Sequence, residues 1–269
     1  MSELLLRRRN LLLRKQEELN IRAVCFEADG EQTVSMTMVG TAPAITMQYS
    51  YDGVNWDTWD LSALSFGGST KVYVRGVNNA TLATNKTNYT FTFGTDSYVY
   101  VSGIAEALLN GENEVLQYSK EYTFRRLFRD QTALREADRL RFEAMTVLGY
   151  SHNAMFENCV NLLTGPELPA TTFNGIAPYR DMFRNCSSLV NATELPATTL
   201  SAQCYQNMFY GCTNLKTIRC RAKVTASSAT LYWLYGVSSS GTFYGHSEYG
   251  WSSGVSGIPS GWEFVELTD

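Results

Sequence analysis

Apolar and polar positions alternate with a period of two through residues 21–101. Val34, Met36 and Met38 are separated by Ser35 and Thr37. Ile45, Met47, Tyr49 and Tyr51 keep the same period, as do Val72 and Val74, and then Tyr89, Phe91 and Phe93. Alternate side chains of a strand point to opposite faces, so this pattern predicts strands with one buried face. Asp52-Gly53, Gly67-Gly68 and Asn78-Asn79 are turn formers between them. Short strands at such spacing predict a small antiparallel β-sandwich.

Beyond residue 102 the pattern becomes a repeat. Met155-Phe156-x-x-Cys159-x-x-Leu162 recurs as Met182-Phe183-x-x-Cys186-x-x-Leu189 and as Met208-Phe209-x-x-Cys212-x-x-Leu215, at spacings of 27 and 26 residues. Glu167-Leu168-Pro169-Ala170-Thr171-Thr172 returns unchanged at Glu194-Leu195-Pro196-Ala197-Thr198-Thr199. A degraded copy starts at Leu127-Phe128, with Leu134 and Leu140 at matching positions and Gln131 in place of the cysteine. Apolar residues at i, i+1, i+4 and i+7 predict one face of a short helix. The following Leu-Pro leads into an extended segment, because proline is not accommodated inside a helix. A repeat of this length fits one strand plus one helix or turn, stacked as a leucine-rich-repeat-like solenoid with caps at its ends. The expected class is α+β. It divides into an N-terminal arm (1–20), the β-sandwich (21–101), the solenoid (102–222) and a C-terminal cap (223–269).

These repeats resemble the BspA-type leucine-rich repeat family, over roughly residues 124–222. Trp233-Leu234-Tyr235-Gly236-Val237, Gly241-Thr242-Phe243 and Gly257-Ile258-Pro259-Ser260-Gly261-Trp262 are similar to the cap that follows such repeats in proteins of gut Bacteroidota and their phages. Gly103-Ile104-Ala105-Glu106-Ala107-Leu108-Leu109 resembles their lead-in segment. The resemblance implies an adhesive or surface-exposed role and names no ligand. Tyr49-Ser50-Tyr51-Asp52-Gly53-Val54-Asn55-Trp56 resembles a hairpin of immunoglobulin-like bacterial and phage modules, which implies an Ig-like sandwich. Trp56 and Trp59 then have two readings: an aromatic platform for a sugar, or cover for the sandwich core.

The arm departs from the rest of the chain in charge. Residues 1–15 carry five basic side chains against one acid, a net +4 in a chain of net −4. Leu4 and Leu11 are seven residues apart, as are Leu5, Leu12 and Leu19, which places them on one face of a helix. Arg8 and Arg9 interrupt a second apolar row, so a self-sufficient coiled coil is not expected. The arm has three readings: docking on a protein shell, lying on an anionic membrane surface, or a solvated start. Docking would use Leu4, Leu5, Leu11 and Leu12 in a groove and Arg8 and Arg14 on acidic rims. The order of basic and apolar residues is wrong for a secretory signal, and no apolar run is long enough for a transmembrane helix. A leaderless chain with such an arm, a β module and a BspA-like tip resembles a head fibre or decoration protein of a crAss-like phage.

Composition narrows the chemistry. An apolar share of 44% with 18% charged residues is that of a folded chain. The net charge of −4 argues against nucleic acid as a partner. Three of the six cysteines recur at one repeat position and no Cys-x-x-Cys occurs, so most are expected as reduced core fillers. His152 and His246 are the only histidines and lie far apart, which offers no metal site. Arg125, Arg126, Arg129, Arg135, Arg139 and Arg141 interleave with Asp130, Glu136, Asp138 and Glu143, the pattern of an ion-paired face. No catalytic motif is present, and no catalytic, cofactor-binding or metal-binding residue is expected. In the Tyr-, Ser- and Gly-rich C-terminal segment, Trp233 and Trp262 are expected to cap the repeats, while Tyr244, Tyr249 and Trp251 are the candidate ligand surface. The expectation is a non-enzymatic virion protein, a homo-oligomer held to the capsid or another virion protein by its arm and facing host glycan or protein. The alternative is a bacterial cell-surface adhesin of the BspA type.

Overall fold

The computed structural model describes residues 21–41, 43–223 and 228–268. The arm, with Leu4, Leu5, Arg8, Leu11, Leu12 and Arg14, lies outside the described residues. The alternating segments form β1 (Val24–Ala28), β2 (Gln32–Val39), β3 (Met47–Ser50), β4 (Asp57–Trp59), β5 (Leu64–Phe66), β6 (Val72–Gly76), β7 (Asn88–Phe93) and β8 (Val99–Ile104). The pairs among them are antiparallel. One sheet runs β4-β3-β6-β1-β8 and continues into β9 (Leu134–Arg141); the other runs β5-β2-β7. The sheets face each other across Phe26, whose ring meets Phe91 at 4.9 Å and Phe93 at 5.3 Å. At the hairpin after β3, Asp52 accepts the N–H groups of Val54 and Asn55, both at 2.8 Å, and Gly53 takes φ +74°.

The structure is mostly β, and the helix expected from Met-Phe-x-x-Cys-x-x-Leu is a correction. Helical residues among those described are confined to 3₁₀ turns at Ala105–Leu108 and Ser247–Tyr249. In each repeat the chain instead makes successive four-residue turns. Arg125, Leu127 and Arg129 donate N–H to the carbonyl three residues back, at Tyr122, Phe124 and Arg126. The intervening Tyr122, Phe124, Arg126, Phe128 and Asp130 donate to Gly149, Ser151, Asn153, Met155 and Glu157 of the next repeat. An α-helix would spend all of these donors within itself. Here half of them bind one repeat to the next, so the backbone groups are satisfied only when repeats stack.

The turn geometry places a left-handed residue at every fourth position. In the second repeat these are Tyr150, Ala154 and Asn158; in the third, Ala177, Asp181 and Asn185; in the fourth, Gln203, Asn207 and Gly211. A period of four keeps Phe124 and Phe128 on one side, as it does His152 and Phe156, Tyr179 and Phe183, and Tyr205 and Phe209, all buried. Stacking then builds two ladders of rings. Phe128, Phe156, Phe183 and Phe209 follow one another at 5.3, 5.4 and 5.5 Å with planes within 6°. Phe124, His152, Tyr179, Tyr205, Trp233 and Trp251 follow at 5.8, 5.1, 6.3, 6.3 and 5.3 Å. The thiols of Cys159, Cys186 and Cys212 donate to the carbonyls of Phe128, Phe156 and Phe183 in the preceding repeats at 3.0, 3.1 and 3.0 Å.

The extended halves of the repeats form parallel pairings that continue the larger sheet. β8 pairs with β9, then bridges link Glu136, Thr164, Asn191 and Thr217 in turn. From there β12 (Thr217–Arg219), β13 (Gly241–Gly245) and β14 (Trp262–Glu266) pair in parallel. A second parallel pair joins β10 (Thr146–Leu148) to β11 (Thr172–Asn174). At the front end β7 stands where a preceding repeat would: Phe91 N–H donates to Leu127 O at 2.8 Å, and Phe93 N–H donates to Gln131 Oε1 at 3.0 Å. Gln131 therefore replaces cysteine because its neighbour is a strand with a free donor.

Candidate binding surface

The register of the larger sheet sets one row of residues on the face away from the core: Tyr73 on β6, Cys25 on β1, Ser102 on β8 and Arg139 on β9. Small residues occupy the middle of this face. Gly103 takes φ +96°, and a Cβ there would come within 2.1 Å of Ala23 O. With Ala23 and Ser102 it leaves a depression. Asp138, Arg139 and Arg141 rise on one side, Glu167 reaches in from the next repeat, and Ile21 and Tyr73 close the other side. The cleft has a volume of about 310 Å³. Arg139 Nη2 meets Glu27 Oε1 at 3.2 Å, and Lys71 Nζ meets Glu27 Oε2 at 3.4 Å. The side chains of Asp138, Arg141 and Glu167 form no hydrogen bond or ion pair among the described residues.

The expected ligand residues near the C-terminus are held by different partners. Tyr244, on β13, lies under the Arg219 guanidinium at 4.0 Å. Tyr249 ends the second 3₁₀ turn with its ring 4.9 Å from His246. Trp251 is the last ring of the second ladder, stacked on Trp233 and 4.9 Å from Phe243. Trp233 and Trp262 are buried and donate their indole N–H groups to Gly257 O and Ser238 O, each at 2.8 Å. In the β module Trp59 is a core residue, stacked on Phe91 with its indole N–H on Ser62 O. Trp56 is half-buried with the Arg75 guanidinium 4.1 Å over its ring. The arginine-rich stretch is paired largely with distant residues: Arg129 with Glu157 at 2.8 Å, Arg139 with Glu27, and Arg135 over the Tyr98 ring. Glu194 pairs with Arg221 of the next repeat.

A buried polar cluster lies where the sheet passes into the repeats. Tyr118 O–H donates to Glu106 Oε1 at 2.9 Å, and Ala144 N–H donates to the same oxygen at 3.2 Å. With Tyr118 so committed, His152 Nε2–H donates to the Tyr118 oxygen at 3.1 Å. Glu106 and His152 are fully buried. Burial pushes the Glu106 carboxyl up and the His152 imidazole down to about 3, so the histidine is neutral. Neither Glu106 nor Tyr118 is conspicuous in the sequence. His152 is, once the repeats are aligned: it occupies the position of Tyr179 and Tyr205.

Among the described residues no group of three or more histidine, cysteine or acidic side chains is set to hold a metal ion, and no helix is long and apolar enough to cross a membrane. Comparison with protein-family models, with curated proteins and with solved structures finds no match to this chain.

Proposed function

We propose that this chain is a structural binding protein of the BspA-type leucine-rich-repeat kind, without catalytic activity. In this reading an Ig-like module precedes a short solenoid and its cap, and the chain is carried on a phage particle as a head fibre or decoration protein. The supporting observation is the unbroken stack from Phe91 through Phe128, Phe156, Phe183 and Phe209. It joins the β module and the repeats in one stiff body, which suits a part that holds a binding face away from its point of attachment. The placement on a particle rests on the arm, whose leucine spacing and local charge of +4 suit docking on an acidic-rimmed shell. Its partners are a capsid or other virion protein at one end and host-surface glycan or protein at the other, with several copies assembled together. The BspA-like repeat sequence equally favours a bacterial surface adhesin as the second reading.

Deleting residues 1–20 tests the choice, with full-length protein as control. The expected result is a truncated protein that folds but is missing from purified particles, while the full-length chain is incorporated. Equal incorporation of both overturns the arm as the anchor, and incorporation of neither overturns the virion reading in favour of the adhesin.

A further inference from the structure

We infer that the outer face of the repeat turns binds an acidic polysaccharide, lying along the stack with its oxyanions on Arg126 and Arg184. The inference rests on the binding role proposed above and adds its place and ligand class. Within the turns of the four repeats (122–130, 150–158, 177–185 and 203–211) stand five arginines, Arg125, Arg126, Arg129, Arg180 and Arg184. Three acids oppose them, Asp130, Glu157 and Asp181, which leaves a surplus of two positive charges in a chain of net −4. Arg129 pairs with Glu157 at 2.8 Å and Asp130 at 3.6 Å, and Arg180 pairs with Asp181 at 3.2 Å. Arg184 stands 3.9 Å from both Glu157 and Asp181, beyond hydrogen-bond reach, so its donors are unspent on them.

Arg125 and Arg126 have no ion pair among the described residues. Arg125 Nη1 donates to the carbonyls of Thr84 and Asn85 at 3.1 and 3.3 Å, which leaves its charge unbalanced. Arg126 is half-buried and its Nε has no hydrogen-bond partner among the described residues. The same position in the next repeat is Ala154, so the guanidinium meets no acid there. Burial, and then neighbouring arginine charges, pull both guanidinium groups below their ordinary pKa. A negative group placed between them offsets that repulsion, and the planar guanidinium fork suits an oxyanion.

The rest of the face suits a sugar chain better than a single ion. The row of Glu157 and Arg184 continues into Tyr210 and Tyr235, joined from repeat to repeat by backbone hydrogen bonds. Arg184 lies over the Tyr210 ring at 5.2 Å, and Tyr210 stacks on Tyr235 at 5.1 Å. Tyr235 is 53% exposed and Tyr232, edge-on to it, is 40% exposed, so both rings are open to a ligand. Such rings match the C–H surface of a pyranose. The neighbouring phenylalanine ladder advances 5.3 to 5.5 Å per repeat, close to the length of one sugar unit in an extended chain. Each repeat therefore presents one arginine or tyrosine step to one sugar. A surplus of two charges is too small to hold a polynucleotide, which needs many phosphate contacts.

The test is isothermal titration of the full chain with oligogalacturonate, which carries carboxylates, and with carrageenan oligosaccharides, which carry sulfates. Dextran oligosaccharides, oligoglutamate and a single-stranded oligonucleotide are the comparisons. The expected result is binding of at least one acidic oligosaccharide, roughly tenfold or more tighter than all three comparisons. The tighter of the two acidic probes identifies the oxyanion. Arg126→Gln combined with Arg184→Gln should weaken binding roughly tenfold or more, since two charge-assisted donors are lost. Tyr235→Ala should also weaken it, and Val54→Ser, on the β module, should leave it unchanged. Circular dichroism and melting temperature check the fold of each variant; Tyr235 is on the surface, so its variant carries the test if the arginine pair proves structural. No acidic oligosaccharide bound, equal binding of oligoglutamate or the oligonucleotide, or binding indifferent to the arginine pair or to Tyr235 each overturns the inference. Particle incorporation is read separately, so the polysaccharide face can fail while the virion reading stands, and the reverse.

Discussion

Phe91 lies almost parallel to Phe128, with ring centroids 5.2 Å apart and planes at 20°. One ring belongs to the last strand of the small sheet and the other to the first repeat. The contact makes the β module the front cap of the stack, with the Phe91 N–H on Leu127 O alongside it. Phe128 is fully buried between Phe91 and Phe156, so Phe128→Ala leaves a cavity that neither neighbour can fill. The expected cost is about 3–5 kcal/mol. In the unaltered protein tryptophan fluorescence and far-UV circular dichroism should report one unfolding transition in denaturant. In Phe128→Ala the two probes should separate, because the module and the repeats lose their shared core. Coincident transitions at an unchanged midpoint would show that the contact does not couple them.

His152 gives the protein an acid sensitivity with a defined sign. Its pKa is lowered from 6.5 to about 3 by burial. The unfolded chain therefore binds a proton that the folded chain refuses between those values. The stability this residue contributes is full above pH 6.5 and is lost as pH falls towards 3, at about 1.4 kcal/mol per pH unit. Glu106 acts in the opposite direction, since its raised pKa favours the folded state at low pH. His152→Phe keeps a ring between Phe124 and Tyr179 and removes the titration. Measured by denaturant unfolding, the difference between variant and parent should grow as pH is lowered from 6.5 to 4. Parallel stability curves would rule out His152 as the source.

Much of this fold was legible in the sequence, and the misreading is instructive. The strands of residues 21–101 followed from alternation, because Val34, Met36, Phe91 and Phe93 face one core. The repeats and their length were plain from Met155-Phe156, Met182-Phe183 and Met208-Phe209. Their conformation was not. A helix has about 3.6 residues per turn and these turns have four, which over two turns drift apart by less than one residue. A short apolar stripe cannot separate them. A better signal sits just before the cysteine position, where Asp130, Asn158, Asn185 and Gly211 are residues that tolerate a left-handed backbone. The cleft was illegible because β1, β6, β8 and β9 meet there only through sheet register. Trp251 read as a binding residue from composition, while its place at the end of a ring stack emerges only from the three-dimensional arrangement.

The repeat cysteines should be chemically silent in the folded protein. Cys159, Cys186 and Cys212 are fully buried, and burial raises their thiols far above neutral pH; Cys204 and Cys220 are pushed up to about 12. None of these five is in a disulfide. Iodoacetamide at pH 8, followed by peptide mass mapping, should leave all five unmodified in native protein and alkylate them in guanidinium chloride. A reducing agent should leave the melting temperature unchanged. Rapid native labelling at Cys186, which lies between Cys159 and Cys212, would mean that the stack opens locally.

The left-handed position before each cysteine makes a separate prediction, because backbone strain and side-chain bonding there can be taken apart. Asn158 Nδ2 donates to Asp130 Oδ1 at 2.6 Å, and Asn185 Nδ2 donates to Asn158 Oδ1 at 2.9 Å, so the side chains link repeats one to the next. Asn158→Ala removes both bonds and leaves a residue at φ +63° that disfavours it. Asn158→Gly removes the same bonds but adopts that φ freely. The alanine variant should therefore be the less stable of the two by about 1–2 kcal/mol. For a chain of this size that is a gap of a few degrees in melting temperature. Gly211→Ala extends the test to the fourth repeat, where φ is +74° and a Cβ would meet Asn185 Oδ1 at 2.5 Å. It should lower the melting temperature through both strain and the displaced asparagine. If Asn158→Ala and Asn158→Gly melt alike, the asparagines are selected for the ladder between repeats and not for the backbone they occupy.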